Sequence, residues 1–246
     1  MVIKGIKIVQ RRNLKVGTSY WAVVIPYIKT DGCQVKVKVC GTSPTSPLGD
    51  WNSTNVRNFG INHDYLHVIN GGIYIDPFSV EADGITIIDG KIWKDTTSEL
   101  FFQEQHVLGI TAEGNFKTYF YESANNILED GCIYAITGFV PLIKNGVRVK
   151  KEAFAVCPHG DKRHPRQIIG RFFNGDYFTF CCDGRKRTEN GMTLDECIDT
   201  ILQEFGTNVE FAFNLDGGGS TQSMIGKQLI NSNVEGRPVP NVIVFE

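Results

Sequence analysis

The feature that most constrains this chain is a period-two run that ends in three consecutive glycines. Val209, Phe211, Phe213 and Leu215 alternate with their neighbours and lead directly into Asp216-Gly217-Gly218-Gly219-Ser220. Such alternation specifies a strand with an apolar face. Three glycines cannot continue that strand, since they offer no side chain to pack and favour backbone conformations closed to other residues. The chain must therefore turn at the end of a buried strand. A turn of this kind leaves backbone N–H groups uncovered, and several of them aimed at one point form an anion-receiving loop. Asp216 would stand at the edge of that loop, with Ser220 and Thr221 as further hydroxyl donors. A glycine run alone also reads as a linker or a plain tight turn. Here a strand precedes it and Met224-Ile225 follows, which places it within a folded unit.

Strand signals dominate the rest of the chain. Val2, Ile6 and Ile8 alternate loosely, Tyr20 to Ile28 is an aromatic and β-branched run, and Val35, Val37 and Val39 alternate with lysines after an Asp31-Gly32 turn. Further strands are expected at Leu66 to Ile69, Ile73 to Ile75, Ile85 to Ile88 before Asp89-Gly90, Val107 to Ile110, Phe116 to Tyr121 and Ile133 to Phe139; a polar stretch carrying Phe101 and Phe102 lies between two of them. Ile168 to Phe173 and Tyr177 to Cys182 read as a hairpin around Asn174-Gly175-Asp176. One segment is helical: Leu194, Cys197, Ile198, Ile201, Leu202 and Phe205 form a single apolar stripe, opened by the capping box Thr193/Glu196 and stopped by Gly206. The expected fold class is α+β, a β-rich mixed-sheet core with few helices. Gly41 to Asn58, with Pro44, Pro47 and Gly49, reads as a long loop that either separates an N-terminal β-rich segment (1–60) from the rest (61–246) or covers a site.

With 246 residues, 41% of them hydrophobic, the chain can bury a sizeable core without a disulfide or metal staple. Its net charge of -2 argues against a partner held through a nucleic-acid backbone. The seven cysteines contain no CxxC pair and read as reduced, mostly buried small hydrophobes. Met1 to Tyr20 lacks the long apolar run of a signal peptide or membrane span, so a cytoplasmic or virion-associated location is expected.

Other polar elements could carry chemistry. Asn70-Gly71-Gly72 closes an apolar run, where Asn70 offers both donor and acceptor and the glycines permit close backbone approach; a hairpin turn explains it equally. Arg166 could grip phosphate oxygens with its planar fork or be a solvated surface group. Asp183-Gly184-Arg185 reads as a turn or as a carboxylate and guanidinium at a site. His63 and His67 stand at i, i+4 spacing, but no metal helix surrounds them, and they read as structural or surface residues.

Taken in order, these pieces resemble the phosphodiester glycosidase family. The resemblance runs through Ile69-Asn70-Gly71-Gly72, Gly84 to Lys91, Pro141-Leu142 before Asn145-Gly146, Pro165 to Gly170, Asp183-Gly184-Arg185, Gly191 to Leu194, Asn214 to Ser220 and Arg237 to Asn241. It leaves the residues before Tyr65 unexplained. The chain departs from the family pattern at Ile73-Tyr74, where an aromatic usually follows the glycines directly. It departs again at Gln167, where an arginine often stands, and at Gln222-Ser223, where small residues and then methionine are typical.

The resemblance implies a hydrolase that cleaves the anomeric C–O bond of a sugar-1-phosphodiester of the GlcNAc-1-phosphate type, as in a phage or intracellular version of the family. Asp216, Asp183 and Arg166 would be catalytic. Asn70, Gly71, Gly72, Arg185, Gly217, Gly218, Gly219, Ser220 and Thr221 would bind substrate, with Arg166 and the Gly217 to Ser220 loop holding the phosphate. A Ca²⁺ or Mg²⁺ ion bridging carboxylate and phosphate fits such chemistry, though no ligand set stands out in the sequence. The partner would be a sugar-phosphate or phosphodiester-linked glycan. The alternative is a non-catalytic carbohydrate- or phosphate-binding module of a virion or cell-wall-binding protein, and a purely structural assembly protein would bind no ligand.

Overall fold

The alternating run before the glycines becomes β15 (Val209–Asn214), near the middle of the largest sheet. The computed structural model describes residues 2–3, 5–42, 54–74, 80–95, 105–157 and 159–246. In the largest sheet the order is β1 (Val2–Ile3), β2 (Ile6–Asn13), β3 (Thr18–Ile25), β14 (Tyr177–Cys182), β13 (Arg166–Phe172), β15, β11 (Val140–Lys144) and β12 (Val147–Arg148). A second sheet runs β7 (Lys91–Lys94), β6 (Thr86–Ile88), β10 (Cys132–Thr137), β8 (Val107–Thr111), β9 (Phe116–Tyr119). The third runs β17 (Gln228–Leu229), β16 (Ser223–Ile225), β5 (His67–Asn70), β18 (Asn241–Phe245), β4 (Val37–Gly41). The ladders joining these strands are antiparallel.

The large sheet is the middle layer. On one face, Ile168, Phe178, Phe180 and Ala212 pack against α3 (Leu194–Phe205) through Leu194, Cys197, Ile198 and Ile201. On the other, Ile169, Tyr177, Phe211 and Phe213 meet Ile69, Ile243 and Phe245 of the third sheet and Leu108, Ile110 and Ile136 of the second. Burial on both faces explains why Tyr177 to Cys182 is enclosed along its whole length. Each small sheet has its own outer helix. α1 (Val56–Asn62) covers the third through Val56 and Phe59, and α2 (Ala124–Glu129) covers the second through Ala124 and Ile127.

The local signals behave as physical chemistry requires. Thr193 Oγ1 accepts from Glu196 N at 3.2 Å, and Glu196 Oε2 accepts from Thr193 N at 3.0 Å. Gly206 ends α3 at φ 66°. Gly175 turns the β13–β14 hairpin at φ 92°. β3 stops at Ile25, short of the expected Ile28, because Pro26 has no N–H to donate. The strands before residue 60 are built into the sheets that follow: β3 pairs with β14, and β4 with β18. Part of the segment read as a loop is helix. Residues 43–53 lie outside the described residues, but Asn55 caps α1 by accepting from Asn58 N at 2.8 Å. Tertiary burial, not propensity, makes this short helix. Of the strand expected at Ile73 to Ile75, Tyr74 forms an isolated bridge to Ala82, while Ile75, like Phe101 and Phe102, lies outside the described residues. Five of the seven cysteines are buried. No helix among the described residues is long and apolar enough to cross a membrane.

His67 latches two layers. Fully buried on β5, it bonds Met224 O at 2.7 Å through Nδ1 and Thr179 Oγ1 of β14 at 2.8 Å through Nε2. Burial pushes its pKa down from 6.5 to about 4, so the folded state keeps it neutral where the unfolded chain would protonate. This contribution is complete above pH 6.5 and is lost as the pH falls toward about 4. Urea unfolding across that interval will show falling stability, with a shallower slope in His67→Gln.

Candidate active site

Beyond β15 the chain crosses from one sheet to another. Leu215 N still donates to Gln167 O of β13 at 2.9 Å, but Asp216 N donates to Gly71 O at 3.2 Å, at the end of β5. Asn70 completes the junction. Its Nδ2 donates to Asp216 O at 2.7 Å, and its Oδ1 accepts from Gln222 N at 3.3 Å. The two glycine corners, far apart in sequence, are therefore one place. Gly71 and Gly72 are needed there for space. A Cβ on Gly71 would overlap Asn241 Oδ1, and one on Gly72 would stand 2.5 Å from Thr137 O. Gly72 N donates to Asn241 Oδ1 at 2.8 Å, so β18 is tied in as well.

The glycine triplet is not the open nest of amides the sequence predicts. Gly217 N donates to Asp216 Oδ1 at 2.7 Å, Gly218 N to Pro165 O at 2.9 Å and Ser220 N to Gly217 O at 3.1 Å. Thr221 N donates to Gly218 O at 3.3 Å. Only the Gly219 N–H of the three glycine amides has no acceptor among the described residues. The triplet's main service is to let two guanidinium groups lie against its backbone. A Cβ on Gly218, whose φ is +60°, would meet Arg185 Nη1 at 3.0 Å, and one on Gly219 would meet Arg237 Nε at 2.7 Å.

Charge is distributed accordingly. Asp216 spends Oδ1 on Gly217 N, while Oδ2 is buried without a hydrogen-bond partner among the described residues. Burial raises its pKa above the ordinary carboxylate value; the Ser220 hydroxyl, Arg237, Gly217 N–H and Arg185 oppose the rise. Arg237 Nη2 donates to Ser220 Oγ at 3.1 Å, and its Cζ lies 5.4 Å from the centre of the Tyr74 ring. Arg185 Nε donates to His164 Nδ1 at 3.1 Å. Unlike Arg12, Arg148 and Arg163, neither arginine has an ion-pair partner among the described residues.

The other two candidates named from sequence do different work. Arg166, 5% exposed, spends its guanidinium on three carbonyls: Nε on Met192 O at 3.0 Å, and Nη2 on His159 O and Lys162 O, both at 2.7 Å. The expected grip of Arg166 on phosphate is replaced by a brace on the loop before β13. Asp183, 5% exposed, accepts from Ser232 Oγ and, at 3.3 Å, from Ser232 N, which secures the segment that follows β17. Within that segment Asn233 Nδ2 donates to Gly219 O at 2.8 Å and Thr221 O at 3.0 Å. A cleft of about 190 Å³ runs between the two, lined by Pro165, Asp183, Gly184, Arg185, Lys186, Gly218, Gly219, Asn231 and Asn233. Larger hollows of about 440 and 420 Å³ lie beside the β2–β3 turn and beside the start of α3, and neither is lined by a glycine corner.

Sequence reasoning thus brings together Asn70, Gly71, Gly72, Asp216 and Gly217 to Thr221, with Arg185 and Asp183 at the cleft. It misses Arg237, Tyr74, His164 and Asn233 as site residues; the Arg237 to Asn241 motif and the displaced aromatic at Ile73-Tyr74 are the signals that point toward two of them. Among the described residues no group of three or more His, Cys, Asp or Glu side chains could hold a metal, and the carboxylate of Asp216 stands among guanidinium charges that oppose a second cation. Because Asn70 satisfies two buried backbone groups, Asn70→Ala should destabilise the fold by about 2–3 kcal/mol, read from the shift in urea unfolding midpoint.

Residues 63–246 match the family described as phosphodiester glycosidase. The chain is 26% identical over 158 residues to the SPbeta prophage-derived uncharacterized protein YomE of Bacillus subtilis (strain 168); the match covers 63% of this chain and 24% of that relative, so the chain spans about a quarter of its length. Among solved structures, the zebrafish N-acetylglucosamine-1-phosphodiester alpha-N-acetylglucosaminidase catalytic domain, auto-inhibited by its pro-peptide, superposes with a TM-score of 0.69 at 21% identity, over 98% of this chain and 82% of that one. A hypothetical protein from Synechocystis gives 0.70 at 15% identity, over 98% and 62%. At these identities the structures share the fold. With three-quarters of the sequence matched, the chain belongs to the phosphodiester glycosidase family.

Proposed function

We propose that this protein hydrolyses the anomeric C–O bond of a sugar-1-phosphodiester of the GlcNAc-1-phosphate type, releasing free sugar and a phosphate monoester. The observation that carries the reading is Asp216: a carboxylate with one buried oxygen that has no hydrogen-bond partner among the described residues, near the Ser220 hydroxyl and two guanidinium groups that have no ion-pair partner among those residues. The name of the zebrafish protein, an N-acetylglucosamine-1-phosphodiester alpha-N-acetylglucosaminidase, supports the substrate class. The prophage-derived relative supports a phage protein, within which a virion-associated location is part of the proposal.

In this mechanism Arg185 and Arg237 take the phosphate oxygens, with Gly219 N–H as a backbone donor. Water attacks the anomeric carbon, its oxygen bonds to that carbon, and the electrons of the breaking C–O bond leave on the phosphate oxygen. Asp216 Oδ2 receives the water proton. A carboxylate whose pKa is raised by burial is a stronger base than a free one, which suits it to this step. Phosphate leaves readily, so the larger demand is to neutralise the departing charge, and fixed guanidinium groups in a partly dry corner do that without reorganising. Asp183 and Arg166 act from behind, holding the cleft's walls.

On a GlcNAc-1-phosphodiester, Asp216→Asn should lower kcat by about 10²–10⁴-fold, while Arg185→Ala and Arg237→Ala should each raise KM by roughly tenfold or more through loss of a charge-assisted hydrogen bond. Sugar release followed by mass spectrometry measures this. Wild-type protein that binds the diester and leaves it intact would instead identify a carbohydrate-binding module, and unchanged turnover in Asp216→Asn would remove Asp216 from the chemistry.

A further inference from the structure

His164 enters neither the resemblance nor the mechanism above, yet it is held with unusual care. It pairs with Met192 in an isolated β-bridge, donating to Met192 O at 3.3 Å and accepting from Met192 N at 3.0 Å. Gly191 makes room for this, since a Cβ there would lie 2.6 Å from the His164 carbonyl carbon. The same Met192 carbonyl accepts from Arg166 Nε, and Arg166 Nη2 holds the carbonyls of His159 and Lys162 in the loop that leads to His164. Cys182 Sγ adds a contact to His164 O at 3.6 Å. What this scaffold presents is one ring nitrogen: Nδ1, which accepts the Arg185 Nε–H at 3.1 Å.

We propose that His164 is a positioning residue for Arg185, whose neutral, Nε2-protonated imidazole accepts the Arg185 Nε–H through Nδ1 and so turns the terminal guanidinium nitrogens onto the glycine corner. The inference rests on the reading of Arg185 as a phosphate-holding group. Arg185 needs such a fixture. Its backbone lies at φ 58°, it has no carboxylate partner among the described residues, and an exposed guanidinium has many rotamers to lose on binding an anion. A carboxylate in place of His164 would fix the same Nε–H but would also neutralise the charge the phosphate requires. A neutral imidazole orients Arg185 and leaves that charge whole.

The surroundings enforce the neutral form. The charged and titratable groups facing His164 are Arg185 from the turn after β14, Arg166 from β13, and His159 and Lys162 from the loop before it; His159 meets its ring edge-on at 5.5 Å. Burial, then these neighbours with Arg185 foremost, push its pKa down from 6.5 to about 4. Nε2 is buried without a partner among the described residues, so nothing there draws the proton to Nδ1.

Two measurements test the proposal. Imidazole ¹⁵N–¹H NMR of the wild type should show the Nε2–H tautomer at neutral pH, with the Nδ1 resonance moving when Arg185 is replaced by alanine. Kinetically, His164→Ala should raise KM for a GlcNAc-1-phosphodiester by about tenfold with kcat changed far less, and His164→Asn, whose side-chain oxygen can accept, should recover most of the loss. An Nδ1–H tautomer, or an Nδ1 resonance unmoved in Arg185→Ala, would overturn the proposal. So would an unaltered KM in His164→Ala, or a His164→Asn variant no better than His164→Ala. The NMR arm needs no turnover, so a wild type that fails to hydrolyse the diester counts against the proposed function without deciding the role of His164.

Discussion

Everything at the site depends on one buried amide. Asn70, at 0% exposure, uses its donor on the carbonyl of Asp216 and its acceptor on the N–H of Gln222, and thereby clasps both arms of the glycine turn to the end of β5. Two sheets with separate hydrogen-bond ladders are joined at that point by side-chain and crossing backbone bonds. Buried polar groups are tolerated only when satisfied, and a satisfied one is a strong specifier of geometry. Asparagine suits the position because it offers both functions without a charge, and Gly71 and Gly72 suit it because β18 and β10 approach too closely for any side chain.

Built on this clasp, the corner separates charges that would ordinarily pair. Asp216 is drawn partly out of water and turned against the backbone of its own loop, while Arg185 and Arg237 lie along Gly218 and Gly219. Most other described arginines of the surface are closed in ion pairs, such as Arg148 with Asp195 and Asp199. The site arginines are instead fixed by neutral partners, an imidazole for Arg185 and a serine hydroxyl and tyrosine face for Arg237. A group oriented by neutral contacts keeps its full charge for an incoming anion. Arg166, by contrast, donates to three backbone carbonyls and braces the frame.

This contrast explains what could be read in the sequence and what could not. Periodicity and turn chemistry are local, so α3 with its cap, the β13–β14 hairpin and the strand feeding the glycine triplet follow from residues a few positions apart. The ordered motifs also indicated that Asn70 and Asp216 belong together, although local reading alone left Asn70 in a hairpin turn. Sequence could not tell which arginine faces the site, because Arg166 and Arg185 differ only in what surrounds them. It could not show that the glycine amides are consumed by Asp216, Pro165 and one another, which requires the loop's geometry. Arg237 and Tyr74 meet Ser220 from distant segments, and α1 exists because the third sheet offers it an apolar face.

The central claim is that the bond broken lies between the anomeric carbon and oxygen, with the phosphate leaving intact. Hydrolysis of a sugar-1-phosphodiester in ¹⁸O-labelled water tests it directly. The account predicts that the label appears in the released sugar and that the phosphate monoester carries none. Label in the phosphate would mean attack at phosphorus and would contradict the roles assigned to Asp216, Arg185 and Arg237 together.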